Sequence, residues 1–140
     1  MVFEYLDHTA DACIRASGDT PAQAFCEAAR AMFNLMIALD AIAPRDKIDV
    51  SVEATDFDLL LVEWLGTLLS EKDVTGLVFS RFDVRIEHLA GRLVLKGTAM
   101  GELFNPVRHD GMNEVKGISY AGLYARTEGD KFVVQCVVDI

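Results

Sequence analysis

Carboxylate and imidazole side chains cluster near the amino terminus, in the segment Asp7-His8-Thr9-Ala10-Asp11. Two carboxylates beside a histidine can bind a cation, exchange protons as a general acid and base, or simply belong to a solvated loop. The spacing alone favours the solvated loop over the two chemical interpretations.

The other end of the chain is more informative. Residues 132–138 are almost wholly apolar, which is typical of a buried strand, and Asp139 and Ile140 follow directly. A side-chain carboxylate and the carboxylate of Ile140 therefore emerge together. If this strand lies beside the strand that begins after Asp11, three carboxylates converge. Like charges repel unless a cation or proton neutralises them, and oxygen ligands favour Ca²⁺, Mg²⁺ or Mn²⁺ over zinc.

No familiar catalytic motif accompanies these residues. The sequence has no nucleophile elbow, P-loop, dinucleotide-binding fingerprint, zinc-protease motif or EF-hand loop. We expect His88 in a surface turn and His109 at the surface of a long loop. Lys116 is expected to be an ordinary outward-facing lysine, because the residues around it give no reason to single it out.

The charge of the chain limits its partners. The net charge is −9, from 22 acidic and 13 basic residues, and such a surface repels phosphate backbones. Tight, direct binding of RNA or DNA is therefore not expected. The negative charge is compatible with docking onto a basic protein or with binding a cation. A role in nucleic-acid chemistry would therefore run through a partner.

The composition is that of a soluble globular protein, with 51% hydrophobic and 25% charged residues. No apolar run approaches the roughly 18 residues of a membrane span, and no secretory signal is recognisable, so we expect a cytoplasmic protein. Three dispersed cysteines are predicted to be small, buried apolar residues kept reduced rather than disulfide-bonded or zinc-bound. They are Cys13, Cys26 and Cys136.

Two helices are predicted from capping residues and apolar periodicity. Thr20, followed by Pro21 and Gln23, should begin the first, which runs to near Leu39. Asp56 should begin the second, whose apolar stripe includes Trp64 as a core residue. Strand patterns occupy 12–16, 47–54, 82–87, 93–100, 115–126 and 132–138.

These elements predict one domain over residues 1–140 with an α+β, two-layer fold. Two helices would pack on a mainly antiparallel sheet of about six strands. The connection at residues 101–113 is long for a compact domain, and loops of that length are more often functional than accidental.

Five stretches of the sequence form a pattern whose order and spacing are specific as a set, although none is decisive alone. They are Tyr-Leu-Asp-His-Thr-Ala-Asp at 5–11, the Ala-Phe and Ala-Met-Phe-Asn pattern within 22–36, Leu-Leu-Leu-Val-Glu-Trp-Leu at 59–65, Glu-Val-Lys-Gly-Ile-Ser-Tyr at 114–120, and the closing Asp-Ile at 139–140.

Over essentially its whole length the chain resembles the archease family. The resemblance implies an accessory protein that activates an RtcB-type RNA ligase, promoting its guanylylation and multiple turnover in tRNA splicing or RNA repair. The resemblance also implies that the protein has no enzymatic activity by itself. The metal site of the family falls on Asp11, Asp139 and Ile140, with Ca²⁺ the first choice and Mn²⁺ or Mg²⁺ possible. The functional lysine falls on Lys116.

Two further residues match the family pattern, and other positions depart from it. His8 and Glu114 occupy motif positions and are assigned supporting roles. Gly117 and Ala121 stand where the family commonly has alanine and histidine, so a role for that histidine is impossible here. The departures leave the three proposed carboxylates intact.

Two alternative functions remain open from the residues themselves. A small metal-dependent hydrolase could use the same carboxylates with His8 as a base, although the sequence shows no substrate-shaping motif. A chaperone-like adaptor would suit an acidic α+β protein without evident chemistry. Stimulation of a ligase, turnover of a phosphoester or suppression of aggregation would distinguish the three.

Overall fold

The structure is a computed structural model that describes residues 2–6, 11–111 and 113–140. In chain order it contains β1 (Val2–Leu6), β2 (Ala12–Gly18), α1 (Pro21–Met36), a short 3₁₀ helix (Leu39–Ala41), β3 (Asp46–Ala54), α2 (Phe57–Thr75), β4 (Leu77–Leu89), β5 (Arg92–Leu103), β6 (Gly117–Glu128) and β7 (Lys131–Asp139).

Both helices begin at the predicted capping residues. The Thr20 hydroxyl accepts from the amide of Gln23 at 3.2 Å, and the Asp56 carboxylate accepts from the amide of Leu59 at 2.9 Å. Helix α1 ends three residues before the predicted boundary, because the backbone at Ile37 is extended. Helix α2 ends at Gly76, whose φ of 76° lies in the left-handed region that glycine tolerates best.

The strands form two antiparallel sheets rather than one. The first has the order β1-β2-β7-β6 and the second the order β3-β5-β4. The predicted α+β class is confirmed. The described residues form seven strands where about six were predicted. The additional strand is β1, which pairs along its whole length with β2.

Each helix packs against both sheets. Helix α1 contacts β2 of the first sheet and β4 of the second, while α2 contacts β6 and β3. Trp64 is fully buried, and its indole N–H donates to the carbonyl of Phe25 at 3.0 Å, which confirms the predicted core position. Among the described residues, no helix combines the length and apolarity needed to cross a membrane.

A β-bulge in β4 shapes the end of the second sheet. The register with β5 shifts between Phe79 and Arg81, and the Ser80 hydroxyl donates to the carbonyl of Ile42 at 2.9 Å. Opposite the bulge, a Cβ atom on Gly101 would lie 1.7 Å from the carbonyl oxygen of Val78. Only glycine fits there. The long loop predicted at 101–113 is shorter at its start, because β5 continues to Leu103, and the connection to β6 comprises residues 104–116.

Candidate functional site at the ends of adjacent strands

Strands β2 and β7 are antiparallel neighbours, and Ala12 pairs with Val138. Asp11 directly precedes this pair and Asp139 directly follows it, so both residues lie at the same end of the two strands. The strand adjacency on which the predicted convergence of carboxylates depended is therefore present. Asp11 is half-buried and Asp139 is exposed.

The loop that precedes β6 is attached to the same end of β7. The amide of Lys116 donates to the carbonyl of Asp139 at 2.8 Å, and Gly117 pairs with Asp139. A Cβ atom on Gly117 would lie 3.8 Å from Oδ2 of Asp139, so the carboxylate lies beside this glycine. Lys116 and Ile140 are both exposed. The structure thus brings Asp11, Lys116, Asp139 and Ile140 to one end of the sheet.

The donor groups in this cluster are all oxygens. Among the described residues no three side chains of Asp, Glu, His or Cys lie close enough together to hold a metal. Asp11 and Asp139 supply two side chains, and the third proposed donor, the carboxylate of Ile140, is a main-chain group. This set fits a hard cation and does not fit zinc. His8 lies outside the described residues, and Glu114 is exposed two positions before Lys116.

The carboxyl end of α1 anchors the segments that carry these residues. The Tyr5 hydroxyl donates to the carbonyl of Ala31 at 2.9 Å and accepts from the Asn34 side chain at 3.3 Å. Burial raises the pKa of Tyr5 above its ordinary 10.0, and the bond from Asn34 offsets part of that rise, so the hydroxyl remains a donor. On the other side, the Asn113 side chain donates to the carbonyl of Leu35 at 3.1 Å.

A buried polar cluster fastens the long loop, and it contradicts the prediction that His109 lies at the surface. His109 is 1% exposed and Glu102 is 5% exposed. Nε2 of His109 lies 3.0 Å from Oε2 of Glu102, and the amide of Ala43 donates to the same oxygen at 2.7 Å. Nδ1 of His109 accepts from the amide of Asn105 at 2.8 Å, so Nε2 carries the hydrogen donated to Glu102.

Two arginines complete the surroundings of the Glu102 carboxylate. Arg108 forms an ion pair with Oε1, and Nε of Arg45 lies 3.9 Å from the same atom. Sequence reasoning missed the cluster because a histidine between Arg108 and Asp110 resembles a solvated loop residue. Only the return of the loop over the end of β5 buries it. A glutamate ending an alternating strand, with histidine seven positions later, was the available signal.

Comparisons with known proteins agree with the resemblance drawn from the sequence. Residues 3–140 match the model of the Archease protein family (MTH1598/TM1083). The protein archease of Pyrococcus furiosus is 39% identical over 139 residues, covering 99% of this chain and 98% of that protein. The protein archease of Methanopyrus kandleri is 34% identical over 140 residues, with 100% of both chains covered.

The fold has a solved counterpart as well. The solution structure of Methanobacterium thermoautotrophicum protein 1598 superimposes with a TM-score of 0.89 at 32% identity, covering 99% of this chain and 98% of that one. Fold and site define a small α+β protein with carboxylates and a lysine gathered at the ends of adjacent strands. The chain belongs to the archease family.

Proposed function

We propose that this chain is an accessory protein that activates an RtcB-type RNA ligase and has no enzymatic activity of its own. The observation that carries the proposal is the hydrogen bond from the Lys116 amide to the carbonyl of Asp139. It lies at the end of β7, beside which Asp11 precedes β2. These are the positions on which the functional residues of the family fall. The proposed location is the cytoplasm.

The carboxylates of Asp11, Asp139 and Ile140 are proposed to hold one divalent cation, Ca²⁺ first and Mn²⁺ or Mg²⁺ as alternatives. Oxygen donors of this kind suit such ions, and a bound cation would neutralise most of the negative charge that the three carboxylates bring together. His8 is not one of the three proposed cation ligands, and we assign it only a supporting role.

Lys116 is proposed to contact the ligase or its nucleotide directly. Its ammonium group is a compact charge on a flexible stem, and it is exposed at the strand end. The backbone bond to Asp139 fixes the base of that stem, so the ammonium would act from a defined place beside the carboxylates. Glu114, exposed on the same segment, is proposed to support this contact.

The charge of the chain favours action through a protein partner. With 22 acidic and 13 basic residues, its surface repels RNA and is attracted to a basic protein. The hydrolase alternative gains little from the site, because Asp139 and Ile140 are exposed rather than enclosed in a cleft.

The test is guanylylation of a purified RtcB-type ligase, measured as covalent transfer of GMP to the ligase. It is carried out with and without an equimolar amount of this protein. We expect faster guanylylation and several rounds of ligation only when the chain is present. An unchanged rate would refute the proposed function. Cleavage of a phosphodiester by the chain alone would favour the hydrolase, and suppression of aggregation without any effect on the ligase would favour the chaperone-like adaptor.

A further inference from the structure

Exposed apolar side chains concentrate where α2, β5 and the long loop meet. The amide of Phe104 donates to the carbonyl of Gly76 at 2.9 Å, so the end of β5 lies against the end of α2. Large exposed apolar residues that adjoin one another mark interaction sites more often than isolated ones do. The exposed fractions are 83% for Val74, 63% for Leu103, 46% for Phe104 and 95% for Val107.

Beside these residues lies a groove of about 370 Å³ between the carboxyl ends of both helices and the long loop. Its apolar lining consists of Met36, Ile37, Val78 and Phe104. Asn113 and Glu114 also line it. An opening of this size and lining can accept one large apolar side chain from a partner.

The groove is lined by one charged residue of each sign, Lys72 and Glu114, in a chain whose net charge is −9. Lys72, which lines it, lies 3.4 Å from the carboxylate of Asp73, and Arg108 is paired with Glu102. Glu114 and Asp110 form no salt bridge with any other described residue. A second copy of this chain would carry the same net charge of −9 and would be repelled as a whole, whereas a basic partner surface would be attracted.

The groove is continuous with the strand-end site. Glu114 lines the groove, and Lys116, two residues further, is bonded to Asp139. Two residues of extended chain span at most about 7 Å. A partner seated in the groove would therefore also face Lys116 and the carboxylates.

We propose that this groove docks the ligase, by accepting an apolar side chain carried on a basic segment of that protein. The inference rests on the proposed function for the identity of the partner. It assigns binding affinity to the groove and activation to the strand-end site, which are separable quantities.

The first test measures direct binding of the full-length chain to the purified ligase by isothermal titration calorimetry. Phe104→Ser should raise the dissociation constant at least about tenfold, because aromatic side chains contribute disproportionately to interface energies. Guanylylation at saturating concentrations of the variant should remain near the native level. Val107→Ser is a second variant, with 95% of the residue exposed and Phe104 intact, and it should weaken binding by a smaller factor.

Leu89→Ser is the matched control, since Leu89 is 51% exposed and lies at the opposite end of the β4–β5 ladder. Its affinity should equal that of the native chain. Asp110→Lys should slow association and reduce its dependence on salt, whereas Asp130→Lys, at the β6–β7 turn, should change neither by as much.

The docking site and the proposed function can fail separately. Native affinity in folded Phe104→Ser and Val107→Ser, or an equal loss in Leu89→Ser, would overturn the docking site. Binding without stimulation would refute the proposed function and leave docking in place, and absence of binding by the native chain would overturn both. Self-association that Phe104→Ser abolishes, seen by sedimentation velocity, would show that the occupant is a second copy.

Discussion

The amide nitrogen of Lys116 lies 2.8 Å from the carbonyl oxygen of Asp139. This hydrogen bond fastens the segment that precedes β6 to the peptide group between Asp139 and Ile140. The side chain of Lys116 therefore projects from a fixed base, although the side chain itself is exposed. Substitutions at this end of the sheet can separate what the arrangement does for function from what it does for folding.

Lys116→Ala should leave folding almost unchanged and reduce ligase activation sharply. The substitution keeps the amide that bonds to Asp139, and exposed lysines usually change the free energy of unfolding by no more than about 0.5 kcal/mol. Lys47→Ala, at an exposed position on β3, is the control and should preserve activation. Urea unfolding and guanylylation measure the two effects. A folded Lys116→Ala protein with full activation would make Lys116 an ordinary surface lysine.

Extending the chain beyond Ile140, or replacing Asp11 with Asn, should weaken Ca²⁺ or Mn²⁺ binding. Extension turns the carboxylate of Ile140 into a neutral amide, and Asp11→Asn removes one charge while nearly preserving volume. Ligand linkage predicts that the native protein gains about 2.7 kcal/mol at 100 times the dissociation constant. Both variants should gain less, whereas Asp130→Asn should gain as much as the native protein.

Thermal unfolding with and without the cation measures these gains. The metal-free variants should be nearly as stable as the native protein, because the removed charges repel one another when no ion is bound. Equal cation-induced stabilisation in all four proteins would show that the cation binds elsewhere.

Glu102→Ala should destabilise the fold by about 3–5 kcal/mol, because it leaves the buried donors of Ala43 and His109 without their acceptor. His109→Leu should cost about 1–3 kcal/mol, since the amide of Asn105 loses its partner. Chemical unfolding checks both values. Glu53→Ala breaks only an exposed ion pair with Arg92 and should cost less than about 1 kcal/mol. Comparable losses of unfolding free energy in Glu53→Ala and Glu102→Ala would show that the buried polar cluster around Glu102 does not stabilise the fold.

Stability should fall at alkaline pH partly through Cys136. Burial, with a smaller contribution from Cys13, raises the pKa of the Cys136 thiol from 9.0 to about 12. Above about pH 9 the unfolded chain loses this proton while the folded chain keeps it. The folded state therefore suffers no penalty from the buried Cys136 thiol below pH 9. It loses stability relative to the unfolded chain as the pH rises from 9 toward 12.

Urea unfolding at about pH 8 and about pH 11 tests this linkage. Cys136→Ala should show a smaller difference between the two pH values than the native protein. A residual slope is expected, because burial also raises the pKa of the Cys26 thiol to about 12. Identical pH dependence in the two proteins would exclude Cys136 as a source of the loss.

Local signals were sufficient for much of the secondary structure. The caps at Thr20 and Asp56 were predicted correctly, because a capping bond joins residues three positions apart and needs no tertiary contact. Burial was predicted for all three cysteines and is correct for Cys13 and Cys136, whereas Cys26 is only half-buried. Strand β1 was missed, since its five residues become a strand only by pairing with β2.

By itself, the sequence determined that carboxylates stand at both ends of the chain and that an apolar strand precedes Asp139. Only the tertiary structure decided that β2 and β7 are neighbours, which brings Asp11 toward Asp139, and that the long loop buries His109 against Glu102. The physical reason is range. Caps and alternation depend on residues a few positions apart, whereas strand order and the return of a loop depend on which surfaces of the whole chain pack together.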